Sequence, residues 1–181
     1  MPWKNGGGET IEIAVFPEEA SLDTFDWRIS MASVASDGPF SEFANIDRTL
    51  SVLAGEGIAL KIGRMTYTLT QETPPFAFAG DAPTYGTLVS GPITDLNVMT
   101  RRGVCAHSVE RFSGVEDLSF HHGSGDLLLV VMGAVTISTN TETFEMSATD
   151  CLWVSKTDTK LDLKAENPMT VFAIRLVRAQ L

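Results

Sequence analysis

Cysteine is nearly absent: Cys105 and Cys151 are the only two in 181 residues. That number excludes a disulfide-stapled scaffold and fits a reducing compartment, so a cytoplasmic location is expected, with a single disulfide left open. Histidine is almost as scarce, with His107, His121 and His122 the full set. Basic side chains are in deficit as well, 13 Lys and Arg against 23 Asp and Glu, for a formal net charge of −10. The deficit is spread along the chain: residues 1–90 hold 5 basic and 12 acidic side chains, residues 91–181 hold 8 and 11. Nucleic acid and anionic membranes ask for the opposite sign, so neither is an expected partner, although local arginine pairs can still hold a small anion. The longest apolar run, Leu127–Met132, is far too short to span a bilayer. No basic segment leads into an apolar stretch at the N-terminus, so no signal peptide is expected.

What is present reads as a globular β protein. Apolar residues make up 44% and charged residues 20%, a composition that buries a core rather than staying disordered. A chain of this length fits one ordinary domain or two very small ones and buries roughly 70% of its unfolded surface. The dominant hydrophobic period is two. Thr10–Phe16, Trp27–Val34, Thr49–Leu53, Ile58–Ile62, Thr66–Thr70 and Val104–Val109 are short strand-like runs. Leu127–Met132, Ala134–Ser138, Thr143–Met146 and Met169–Val177 continue the series. All are rich in β-branched or aromatic residues and bounded by Gly, Pro, Asp or Asn. No segment carries an apolar helical stripe, and Ser41–Ile46 forms one helical turn at most. The expected fold is all-β, an antiparallel sandwich or barrel.

A weak internal repeat adds detail. Leu50-Ser-Val-Leu-Ala-Gly55 matches Leu128-Leu-Val-Val-Met-Gly133, and Leu60-Lys-Ile62 matches Val135-Thr-Ile137. Tyr67-Thr-Leu69 then matches Phe144-Glu-Met146, and Phe76-Ala-Phe78 matches Leu152-Trp-Val154. The order and spacing hold across four segments, as expected for one β-unit used twice.

The chain opens on Trp3-Lys4-Asn5-Gly6-Gly7-Gly8, an indole, an ammonium and a carboxamide beside three glycines, directly before a strand. Consecutive glycines cost chain entropy, which favours a shaped loop near a site over an ordinary connection. As a phosphate loop it fails, because the Lys-Ser/Thr pair is absent and a strand follows where a helix N-terminus should donate. Trp27-Arg-Ile-Ser30, Asp37-Gly-Pro-Phe-Ser41, Asp47-Arg-Thr-Leu50, Gly55-Glu-Gly57 and Gly91-Pro-Ile-Thr-Asp-Leu-Asn-Val-Met-Thr-Arg-Arg-Gly103 follow. In order and spacing these segments resemble the HutD/Ves family, with specific motifs from residue 3 to 103 and general β-patterning beyond. The resemblance implies a bicupin, two small jelly-roll-like β-barrels in one chain of 181 residues, with repeats over about 10–90 and 91–181. It also implies an association with bacterial histidine utilisation, through binding a small molecule and moderating that pathway.

Cupins commonly hold a metal with a His-x-His pair, a following Glu and a later His. His121 and His122 are adjacent on a strand and so point to opposite faces, and His107 with Glu110 has odd spacing. No histidine-rich ligand set is visible, so neither a metal nor another cofactor is expected. Cys105 and His107 share a strand face, yet no third group orients them as a nucleophile pair. Arginines are the better candidates. Arg28 and Ser30 share one face of a strand, with Trp27, Ile29 and Met31 on the other. Asn97, Met99 and Arg101 share a face, and Arg102 lies on the opposite one. A guanidinium fork pairs with a carboxylate through two hydrogen bonds. The candidate ligand-binding set is therefore Trp3, Lys4, Asn5, Arg28, Ser30, Phe40, Asn97, Met99, Arg101 and Arg102. Against it stands the plain alternative that these arginines pair with nearby acids and brace the fold.

The leading expectation is a non-catalytic cupin binding a small anionic metabolite such as urocanate, formiminoglutamate or formylglutamate. The rival is a metal-independent isomerase or hydrolase acting on a histidine-catabolism intermediate. There Arg28 and Asn97 stabilise charge and Asp95 or Glu12 carries a proton. A third reading is a scaffold with structural arginines. Exposed sheet edges make a homodimer a further expectation.

Overall fold

The structure, a computed structural model, describes residues 8–123, 125–154 and 159–179. Every regular element among them is a β-strand, and the chain divides into two compact units, residues 1–106 and 107–181. No helix among the described residues is long and apolar enough to cross a membrane.

The first unit holds two antiparallel sheets. One contains β1 (Gly8–Phe16), β2 (Trp27–Val34), β9 (Ile93–Arg101), β4 (Ile46–Ala54) and β7 (Phe76–Ala79), in that order. The other contains β3 (Gly38–Pro39), β8 (Thr84–Leu88), β5 (Ile58–Ile62) and β6 (Met65–Leu69). Val34, Leu50, Val52 and Ile93 from the first sheet pack on Ile58, Leu60 and Leu69 from the second. Directly paired residues share a face, so the register lays out rows of inward side chains. One row runs Val15, Arg28, Met99, Arg48, Phe78; the next runs Glu12, Ser30, Asn97, Leu50, Phe76. A third runs Thr10, Ala32, Asp95, Val52.

The second unit forms one sheet from β13 (Thr143–Met146), β12 (Val135–Ser138), β15 (Thr159–Arg178), β11 (Asp126–Val131) and β14 (Cys151–Val154). β10 (Cys105–His122) pairs with β15. Its apolar core holds Leu127, Leu129, Val131, Ile137, Leu163, Val171 and Ala173, with Phe112 and Phe120 against them.

Both units use the same connectivity. β4 pairs with β7 and β9, β5 pairs with β6 and β8, and β9 pairs with β2. In the second unit β11 pairs with β14 and the later half of β15, β12 pairs with β13 and the earlier half of β15, and β10 pairs with β15. The β8–β9 pair of the first copy is thus one continuous strand in the second. The letter match between the repeats needs one adjustment. Leu50 and Val52 face the core of their unit as Leu129 and Val131 do, whereas Leu128 lies on the other face of β11. The β4 register slips between Val52 and Ala54, leaving Leu53 as the extra residue of a β-bulge. One inserted residue reverses the face of all that precedes it, so sequence similarity and facing disagree by one position.

Ser41–Ile46 contains no helical turn. The Phe43 amide donates to the Gly80 carbonyl and the Gly80 amide to that of Ile46, so the segment bonds to the end of β7 instead of to itself. Asn45 takes a φ of 61°, which a helix excludes.

Candidate functional site

Polar side chains collect on the inward face of the first unit, at the level of Arg28 and Arg48. Both guanidinium groups are buried, and they flank Met99 in one row of the sheet. Arg28 is largely satisfied: Nε donates to Glu12 Oε2 at 2.7 Å and Nη1 to Ser30 Oγ at 3.2 Å. Arg48 is not. Its Nε donates to Asn97 Oδ1 at 2.9 Å and its Nη2 donates to the same oxygen. Among the described residues no carboxylate lies within ion-pair distance of it. Burial pushes its guanidinium down to about 10, with Asp95 opposing the shift and the charge of Arg28 adding to it. A buried cation whose hydrogen bonds go to a neutral amide has lost hydration without gaining an ion-pair partner.

Aromatic rings enclose the same group. The Arg48 guanidinium lies 4.7 Å from the centroid of Phe40 and 5.4 Å from that of Phe78. Phe40 reaches this position because residue 86 is glycine. A Cβ there would stand 2.6 Å from the Phe40 ring and 2.8 Å from Ile58 Cδ1.

Asn97 ties the cluster together. Its Nδ2 donates to Asp95 Oδ1 at 2.5 Å while its Oδ1 receives Arg48. Asp95 is 1% exposed, and among the described residues nothing hydrogen-bonds to its Oδ2. Burial raises its carboxyl to about 7, outweighing the Arg48 charge and the Asn97 and Ala32 amides, which lower it. The interior therefore presents two guanidinium groups, one of them paired with the more exposed Glu12, and one carboxyl that changes protonation near pH 7.

Arg28, Ser30, Asn97 and Met99 of the sequence-based candidates come together here, with Phe40 beside them. Arg101 is turned elsewhere. Its Nε and Nη2 donate to the carbonyls of Phe25 and Asp23, both at 3.0 Å, and it lies against the Phe25 ring. Arg102 is exposed, bonded to Asp47 and Asp81 at 2.7 Å each and to the Ile46 carbonyl at 2.9 Å. Arg102 thus pairs with carboxylates, and Arg101 with backbone carbonyls. Trp3, Lys4 and Asn5 lie outside the described residues. Arg48 is the residue that the sequence reading passed over, although the signal was there: a lone cation in the otherwise apolar alternation Arg48, Leu50, Val52.

The second unit offers no equivalent. Matching strand pairs put Leu127, Ala173 and Val171 where the first unit has Arg48, Asn97 and Asp95. No group of three or more His, Cys, Asp or Glu among the described residues is placed to hold a metal ion. His121 is exposed and the adjacent His122 buried, its Nε2 3.0 Å from the Gly125 carbonyl, as strand alternation requires. Cys105 and Cys151 are not joined in a disulfide, and burial pushes Cys151 up to about 11, so it stays protonated at neutral pH.

Known proteins extend the comparison. Protein Ves of Cronobacter sakazakii is 36% identical over 91% of this chain and 87% of its own length. An uncharacterised 21.2 kDa protein from the hutC 3′ region of Pseudomonas putida is 32% identical over 92% and 87%. Among solved structures, a conserved protein of unknown function from Pseudomonas aeruginosa PAO1 superposes with a TM-score of 0.89 at 34% identity, covering 97% of this chain and 92% of the other. HutD from Pseudomonas fluorescens SBW25 gives 0.82 at 28%, over 99% and 94%. A cupin 2 conserved barrel domain protein from Leptotrichia buccalis gives 0.60 at 12%, over 94% and 89%, a likeness of fold alone. The family model described as HutD matches residues 1–173, and the chain belongs to the HutD family.

Proposed function

We propose that the first unit binds a small carboxylate through Arg48, and that the protein serves histidine utilisation as a cytoplasmic, non-catalytic cupin that moderates the pathway. The single observation carrying this reading is the burial of Arg48 with no carboxylate partner among the described residues. A bound carboxylate supplies the missing counter-charge and accepts two hydrogen bonds in the fork geometry. Arg28, Ser30, Asn97 and Met99 border that position, and the Phe40 and Phe78 rings favour a flat, conjugated or amide-bearing ligand. Urocanate, formiminoglutamate and formylglutamate all have this character. In this reading the repeated connectivity of the two units is that of a bicupin, with two barrels of which the first carries the arginine cluster.

The test is a thermal shift with those three compounds. Ligand at a hundred times its dissociation constant adds about 2.7 kcal/mol to stability. At least one of them should stabilise the native chain saturably and leave Arg48→Met unchanged. No shift from any of them at millimolar concentration would end the proposal. A second reading rests on Asp95, whose carboxyl, raised to about 7, suits a proton carrier in a metal-independent isomerase or hydrolase. Chelator-resistant turnover of one of these compounds, lost in Asp95→Asn, would establish it instead.

A further inference from the structure

Carboxylate binding by Arg48 leaves one feature of the cluster without a role. Asp95 is the only buried carboxyl among the described residues, and it stands beside Arg48 without touching it. The side chain of Asn97 lies between them, donating to Asp95 Oδ1 and accepting from Arg48. Asp95 thus acts on the arginine as a charge but forms no ion pair with it.

The charged groups facing Asp95 are few. From β2 comes Arg28, bonded to Glu12 of β1, and from β4 comes Arg48. Across the core the second sheet presents Ile58, Leu60 and Leu69, and the one titratable residue sharing their face is Tyr67, in ring contact with Phe76. The Arg28–Glu12 pair cancels. With Asp95 ionised the interior is neutral, and Arg48 already has an internal counter-charge. With Asp95 protonated the interior carries one uncompensated positive charge, which an anion from solution removes. Uncompensated buried charge is costly, so the neutral combinations dominate.

We infer that Asp95 competes with the ligand for the charge of Arg48, so that a carboxylate enters this site together with one proton, which resides on Oδ2 of Asp95. The inference rests on the carboxylate-binding reading and adds its regulation. Oδ2 is the atom for the proton because Oδ1 is already engaged by the Asn97 amide. Burial, which lifts the Asp95 carboxyl to about 7, puts the exchange within the neutral range. Below that pH the site is ready for an anion, and above it Asp95 holds the place.

Formate is the suitable probe, since it is the smallest carboxylate and stays ionised throughout the neutral range. It is titrated calorimetrically into the full chain at pH 6, 7, 8 and 9, in buffers of different ionisation enthalpy. The expected result is uptake of about one proton per formate at pH 8. Affinity should fall about tenfold per pH unit above pH 7 and level off below pH 6. Asp95→Asn, fixed in the neutral form, should bind formate with no pH slope and no proton uptake. Formate affinity that is flat from pH 6 to 9 in the native chain overturns the inference and leaves carboxylate binding standing. A slope retained in Asp95→Asn overturns it as well. Absence of formate binding even at pH 6 overturns both. Should the variant fail to fold, the proton count on the native chain decides alone.

Discussion

Arg48 gives up its hydration on folding and receives in return two hydrogen bonds to one amide oxygen and the faces of two phenylalanines. Cation–π contact returns about 2 kcal/mol or more per desolvated pair, set against the several kcal/mol lost on burying an ion. Arg48→Met fills similar space without the charge. Urea denaturation should therefore show it to be as stable as the native chain or more stable, by about 1–4 kcal/mol, while carboxylate-induced stabilisation disappears. A function-for-stability exchange of this kind distinguishes a binding residue from a brace. Arg102 supplies the contrast: exposed and paired with Asp47 and Asp81, its removal in Arg102→Ala should barely move the melting temperature and leave carboxylate binding unchanged. Asp95 makes its own prediction through pH. Its carboxyl rises from an ordinary 3.8 to about 7 on folding, so between those values the native state binds more protons than the unfolded state. Its contribution to stability is then full below about pH 4, declines as pH rises to 7, and levels off above. Subtracting the melting curve of Asp95→Asn from that of the native chain across pH 4–8 isolates this slope.

Strand alternation carried the sequence reading furthest at the level of elements. Trp27–Val34 and Ile58–Ile62 fall where the period of two put them, and Arg28 and Ser30 share the inward face as expected. The reading failed where period two stops or skips. Alternation puts Arg102 on a strand face, yet β9 ends at Arg101 and the chain turns through Gly103 at a φ of 78°. The bulge at Leu53 is invisible in the letters, since apolar residues occupy both of its flanks. β8 gives little strand signal because Thr84-Tyr-Gly-Thr-Leu88 carries a glycine at its centre and follows a proline. That glycine is the one the site needs. In Gly86→Ala the new methyl meets the stiff Phe40 ring and Ile58, so stability should fall by about 1–3 kcal/mol. With the ring displaced from Arg48, carboxylate affinity should weaken too, which titration of this variant would show.

At the scale of the whole molecule, one connectivity serves twice with different side chains at matching inward positions, Arg48, Asn97 and Asp95 in residues 1–106 and Leu127, Ala173 and Val171 in residues 107–181. Sequence similarity between the copies showed the shared strands but not this division, because it follows from which residues pair across strands far apart in the chain. Ligand-dependent amide-exchange protection should therefore appear in β1, β2, β4 and β9 and be absent from β11 and β12. An overall charge of −10 makes the local positive interior the exception in this molecule, so loss of one arginine there should matter more than loss of any on the surface. The direct measurement is titration of urocanate, formiminoglutamate and formylglutamate into the native chain and into Arg48→Met, both verified as folded. Saturable binding to the native chain that vanishes in Arg48→Met is the predicted result; equal affinity in the two proteins would contradict it.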